Sequence, residues 1–212
     1  MSRKLLFALL FLTSCGGVKV IRTPEYRKLK AMPPDLGIVL AGDATFEWNK
    51  TTKRRENEVV GTSLCPRLVH YLRSTDTFGL VSCVVVPAAN VGPERELEEG
   101  GRKAFLPEDG ASFALDRRTP AAVLIIQDLK VLNDMTPDDR EAKSDWTATK
   151  LAFPVFGSFA WWDNQQGALI AWGALDGQQV RAGTERGEPR WDDVAWDLTR
   201  WMGDGMPFKF TW

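Results

Sequence analysis

The chain has 212 residues, 27 Lys+Arg against 28 Asp+Glu, and a formal net charge of −1. That length suits one well-buried domain with a short appendage, and the lack of a basic excess argues against a nucleic-acid partner. One histidine and three cysteines give no paired-ligand spacing for zinc, and no Gly-rich phosphate loop is present, so neither metal nor cofactor is expected.

The chain begins with Ser2-Arg3-Lys4 and an apolar run over 5–12. A bilayer-spanning helix needs ~20 apolar residues, so this run is too short to cross. A basic start, a short apolar core and small residues after it read as a secretory signal over 1–14. Leu12-Thr13-Ser14-Cys15 then resembles the bacterial lipobox, in which a peptidase cuts before the cysteine and its sulfur carries a diacylglycerol. The other reading is a plain signal peptide cut elsewhere. By that resemblance the mature protein is a lipoprotein with two or three acyl chains, palmitate among them, which suffices for stable anchoring. Gly16 stands where Asp would retain it at the inner membrane, which implies the periplasmic face of the outer membrane. Loss of Arg3 and Lys4 with the signal leaves 25 basic against 28 acidic residues.

Residues 15–35 read as the lipidated cysteine and a tether, with Gly16-Gly17, Pro24, Pro33-Pro34 and the basic stretch Arg27-Lys28-Leu29-Lys30. Residues 36–212 read as a single domain. A first strand is expected over 37–46 and a charged loop over 49–57. A helix follows, capped by Thr62 or Ser63, with Leu64, Leu68, Val69, Tyr71 and Leu72 on its apolar stripe and an end near Ser74. Pro66 is tolerated there because it falls early in the helix. A second strand covers 80–86. Residues 88–119 are mixed, with a short polar helix over 94–99 and one more turn at 113–115. A third strand over 121–132 is apolar enough to be buried on both faces. Residues 133–144 read as a loop. A hairpin follows, 151–162 and 168–175, closed by Asp163-Asn164-Gln165-Gln166-Gly167. A last helix over 191–202 repeats Trp191, Val194, Ala195, Leu198 and Trp201 at helical spacing, with Asp192 and Asp193 in its first turn. The tail, Phe208-Lys209-Phe210-Thr211-Trp212, alternates like an edge strand. The fold class is α+β: a mostly antiparallel mixed sheet of about five strands with two main helices packed on it.

Cys65 and Cys83 remain in a compartment where disulfides persist. They either pair, stabilising the fold by ~3 kcal/mol, or stay as two buried thiols. His70, the one histidine, reads as a helix-surface residue, since no nucleophile motif accompanies it. No carboxylate pair is singled out for glycoside hydrolysis.

The hairpin carries the anomaly. Adjacent Trp161 and Trp162 point to opposite faces, and Leu169 and Ile170 split likewise, so both faces are apolar. One face should hold the helices and something must cover the other. Three occupants are compatible: the tail with Phe208, Phe210 and Trp212, a second copy, or a different envelope protein. Trp161, Trp162, Trp172, Phe208, Phe210 and Trp212 are accordingly the candidate partner-docking surface. Stacking on glycan is a weaker use of the tryptophans.

The segment Trp162-Asp163-Asn164-Gln165-Gln166-Gly167-Ala168-Leu169-Ile170-Ala171-Trp172-Gly173, with the lipobox and the element order, resembles a group of envelope lipoproteins. Their domain is similar to the N-terminal domain of TolB, as in LpoB-type activators of peptidoglycan synthases and CsgG-type secretion lipoproteins. The resemblance spans residues 37–202. It implies a non-enzymatic module that binds other envelope proteins in cell-envelope assembly or maintenance. Two alternatives stay open, a self-assembling subunit of an envelope complex or secretion pore, and an envelope hydrolase. The expected partners are the bilayer, through Cys15, and an envelope protein or the chain itself.

Overall fold

The computed structural model describes residues 18, 20–24, 35–48, 58–74, 78–97, 102–115, 117–133, 152–181 and 189–204. Among them the element order is β1 Val20–Arg22, β2 Asp35–Ala41, β3 Thr45–Trp48, β4 Glu58–Val59, α1 Gly61–Ser74, β5 Leu80–Val86, a 3₁₀ turn Ala88–Asn90, β6 Glu94–Glu96, β7 Lys103–Phe105, β8 Ala122–Asn133, β9 Ala152–Asp163, β10 Ala168–Arg181 and α2 Trp191–Asp204.

The fold is α+β. The described residues form an eight-stranded sheet, ordered β1-β10-β9-β8-β2-β5, with β3 beside β8 and β4 beside β3. It is larger than the five strands expected. The β1-β10-β9-β8 ladder is antiparallel, whereas β2 runs parallel to both β8 and β5. β2 is therefore central, and Leu36 to Ala41 is buried throughout. Such strands read as continuous apolar runs.

Bulges explain where the periodicity misled. The single strand expected over 37–46 is two, β2 and β3, both laid along β8 and separated at Gly42, whose φ is +79°. Opposite this break β8 shifts register between Gln127 and Lys130, where Asp128 has a φ of +50°. β10 runs six residues past the expected end, because a shift between Asp176 and Gln178 at Gly177, φ +72°, resets the inside–outside alternation and buries Val180. The hairpin turn itself is closed as its chemistry suggests, Asp163 Oδ1 accepting from the amides of Gln165 (2.9 Å) and Gln166 (3.0 Å).

The two helices lie side by side on one face. α1 buries Leu64, Cys65, Leu68 and Leu72, and α2 buries Val194, Ala195, Leu198, Trp201 and Met202, all against Ile38, Phe46, Phe153, Phe159 and Trp161. Arg67 pairs with Asp192 and Tyr71 meets Trp196, a constant offset that makes the helices parallel. α1 starts at Gly61, one residue before the expected cap, so Pro66 lies inside it and deprives the exposed Thr62 of a partner for its carbonyl at little cost.

Two expectations inside 88–119 are corrected. Residues 94–96 are not helical but form β6, paired with β7 through the Glu94–Lys103 ion pair (3.1 Å) and backbone bonds. Cross-strand pairing and burial of Leu97 outweigh the helix propensity of the glutamates. Residues 113–115 make no helical turn; Leu115 bridges Arg118 instead.

The tether is corrected as well. Val20–Arg22 pairs with Arg22↔Ala171 and Val20↔Gly173, and Thr23 Oγ1 donates to the carbonyls of Leu169 (2.8 Å) and Ile170 (2.9 Å). Val18 and Val20 pack on the helix-side core and Ile21 on the other, so β1 is part of the domain. The expected tail strand at 208–212 and residues 134–144 of the expected loop lie outside the described residues, while Asn133, placed in that loop, ends β8 instead.

Candidate functional site

The doubly apolar hairpin is covered from within. Trp161 and Trp162 are 0 % exposed and Trp172 is 5 % exposed, so the docking surface expected there is not a surface. Trp161 faces the helices. Trp162, Trp172, Val39, Val123 and Ile125 form a second core with Val91, Leu97, Ala104, Leu106 and Leu115, all from the irregular stretch between β5 and β8. Among the described residues the occupant is thus the chain's own segment between β5 and β8. Phe208, Phe210 and Trp212 lie outside the described residues, as does Cys15.

This cover holds on by side chains that imitate a strand. Asn164 takes the amide of Phe113 on Oδ1 (2.5 Å) and donates from Nδ2 to the carbonyls of Phe113 (2.9 Å) and Pro120 (2.7 Å). Gln127 does the same to Phe105, accepting from its amide (2.8 Å) and donating to its carbonyl (2.9 Å). Trp162 Nε1 donates to the Ala111 carbonyl at 3.2 Å. These two amides, each 2 % exposed, satisfy backbone groups that a ladder would otherwise serve. Gly37 is needed beneath, since a Cβ there would fall 2.2 Å from Leu115 Cδ1.

Cys65 and Cys83 are joined, with Cα atoms 5.6 Å apart. The bond ties α1 to β5, the outer strand of the sheet at that side.

Among the described residues the fold leaves aromatic surface elsewhere, at Phe156 on β9 and on the outer side of the helix pair. Trp196 is 42 % exposed and meets Tyr71 edge-on at 5.6 Å, and Tyr71 meets His70 at 5.3 Å. Arg67 Nε lies 3.1 Å from Asp192 Oδ1 beside them. Burial, with Asp192 and Asp193 nearby, raises the Tyr71 phenol above its ordinary value, partly offset by Arg67, so it stays a neutral donor. Burial, then the proximity of Asp193, also raises the carboxyl of Asp197 against the pull of Arg200. The arrangement offers ring edges, hydrogen-bond donors and flanking charges to a second surface. No group of three or more potential metal ligands occurs among the described residues. Sequence reasoning passed over Trp196 because it lies off the apolar stripe of α2. The usable signal was that very position, a tryptophan on the polar side of an amphipathic helix, flanked by Asp193 and Asp197.

No family model matches the chain, and no curated protein matches it. Among solved structures it is similar to the PelC dodecamer from Paraburkholderia phytofirmans, at 12% identity over 87% of this chain and 97% of that one, with a TM-score of 0.38. A point variant of the same dodecamer gives 14% identity over 86% and 89%, with a TM-score of 0.36. A neuraminyllactose-binding hemagglutinin homolog from Helicobacter pylori gives 13% identity over 81% and 84%, with a TM-score of 0.33.

Proposed function

We propose that the chain is a lipoprotein anchored through Cys15 at the periplasmic face of the outer membrane, and that its domain works by contacting other envelope proteins rather than by catalysis. The observation that carries this reading is the order of features: an apolar run, Leu12-Thr13-Ser14-Cys15, then a folded domain that already holds Val18 against its core. The resemblance to TolB-N-terminal-like envelope lipoproteins points the same way. The partner-facing surface is the Tyr71–Trp196 pair with His70, in place of the hairpin tryptophans. Aromatic side chains of this kind anchor interfaces.

In-cell crosslinking of the full chain, with pull-down and mass spectrometry, tests it. One distinct envelope protein should be recovered, and lost with both Cys15→Ala and Trp196→Ala. Recovery that is indifferent to Trp196→Ala rejects this surface, and an unlipidated Cys15 rejects the anchor.

A second reading, self-assembly, is favoured by β5. Among the described residues β5 has one strand neighbour, β2, and Leu-Val-Ser-Cys-Val-Val-Val carries no charge to deter pairing with another edge. Light scattering on the detergent-solubilised lipoprotein separates the two; a sole monomer peak rejects assembly.

A further inference from the structure

We propose that the β1–β10 edge of the sheet faces a lipid surface at close range, as a built-in orientation of the domain on its membrane. The inference rests on lipidation at Cys15 and on the docked position of β1. If residues 15–35 were a free tether, the domain could roam: twenty residue steps reach up to ~70 Å. The docking of β1 removes that freedom. Val18 already packs on the helix-side core, and from Val20 onward the chain is fixed by ladder pairing to β10 and by both bonds from Thr23. Cys15 to Val18 is three residue steps, which span at most about 11 Å. A diacylglycerol on Cys15 therefore draws this edge to the head groups. Residues 25–34 fall in sequence between β1 and β2, so their length adds nothing to the domain's reach from Cys15.

The sheet order fixes what lies far away. β5 is five strand spacings from β1, about 24 Å across the sheet. The β5 edge, whose own side chains carry no charge, is thereby pointed away from the bilayer, where another protein has access to it beside the Arg73 guanidinium bonded to the Val81 carbonyl.

The test uses the full lipidated chain in phosphatidylethanolamine/phosphatidylglycerol vesicles containing head-group nitroxide lipid. With Cys15 acylated and Cys65 bonded to Cys83, one added cysteine is the sole reactive thiol. A fluorophore on Gln179→Cys reports the exposed flank of β10, and one on Thr62→Cys reports the β5 side, where the adjacent Gly61 abuts Val85. Expected is strong quenching at 179 and none above background at 62. Inserting eight Gly/Ser residues between Gly17 and Val18 should abolish the difference. So should Val20→Asp, which undocks β1 without lengthening the chain. Intact mass is measured on every sample. Equal quenching at 179 and 62 in a lipidated chain overturns the proposal alone, while a mass without diacylglycerol overturns the anchoring reading and this one with it.

Discussion

The two faces of one sheet are closed by different physics. The helix face is sealed by two amphipathic helices, each satisfying its own backbone bonds and offering a stripe of Leu, Val and Trp. The other face is sealed by a stretch with little regular structure, which brings Val91, Leu97, Ala104, Leu106 and Leu115 to the sheet and, beyond the short β6–β7 pair and a few turns, leaves backbone groups for other partners to serve. Asn164 and Gln127 supply the missing partners. The twin tryptophans show the same contrast. Trp162 Nε1 reaches a carbonyl of the cover, whereas Trp161 Nε1, under the helices, is buried without a hydrogen-bond partner among the described residues. Carbonyls in a helix interior are already taken by the helix's own bonds, whereas an irregular cover can turn one toward the indole.

The largest way to break this comparison is through the amide. Asn164→Leu removes three side-chain bonds and leaves buried backbone groups of Phe113 and Pro120 without partners. A loss of about 3–4 kcal/mol in denaturant unfolding is expected, with faster amide exchange over 102–115 than in α1 and α2. A uniform rise in exchange would mean that both faces open as one unit.

Next comes the disulfide, which acts on the other face. Reduction, or Cys65→Ala with Cys83→Ala, should lower stability by about 3 kcal/mol, since the bond closes a loop with a sequence separation of 18. Exchange should rise first in α1 and β5, leaving Phe105 and Phe113 protected. Protection lost at Phe113 before α1 would show that the helix face supports the cover.

The helix face was legible in the sequence and the cover was not. Leu64, Leu68 and Leu72, and Val194, Ala195 and Leu198, recur at helical spacing because a regular backbone turns spacing into direction. β5 and the Asp163–Gly167 turn were legible for the same reason. Between β5 and β8 no period exists, so nothing local says that Leu106 or Leu115 points inward. The amides that fix this stretch lie more than twenty residues away in sequence. The hairpin's apolar second face was read correctly as needing an occupant, but the occupant was sought in the tail, a second copy or another protein rather than in the stretch between β5 and β8. β1 was missed because three residues are too short to show alternation, and its pairing partner begins at residue 168.

A finer contrast uses the indoles alone. Trp162→Phe forfeits the bond to Ala111 and strands its carbonyl, while Trp161→Phe removes a donor that has no acceptor. Both leave a similar void, so Trp162→Phe should be the less stable of the two by about 1–2 kcal/mol. Equal losses would show that the Ala111 carbonyl is served equally well by water.

The smallest expected effect returns to the helix face and has a sign in pH. The folded environment raises the Asp197 carboxyl above 3.8, chiefly by burial and then by Asp193, with Arg200 opposing. The folded state therefore holds this proton more tightly than the unfolded chain. Stability is lost as pH rises from 3.8 through the raised folded value. Asp197→Asn keeps the shape without the charge. It should raise the melting temperature slightly at pH 7 and leave it unchanged at pH 3, where the native carboxyl is protonated too. A lower melting temperature at pH 7 would mean that the 3.3 Å contact with Arg200 outweighs the burial of the charge.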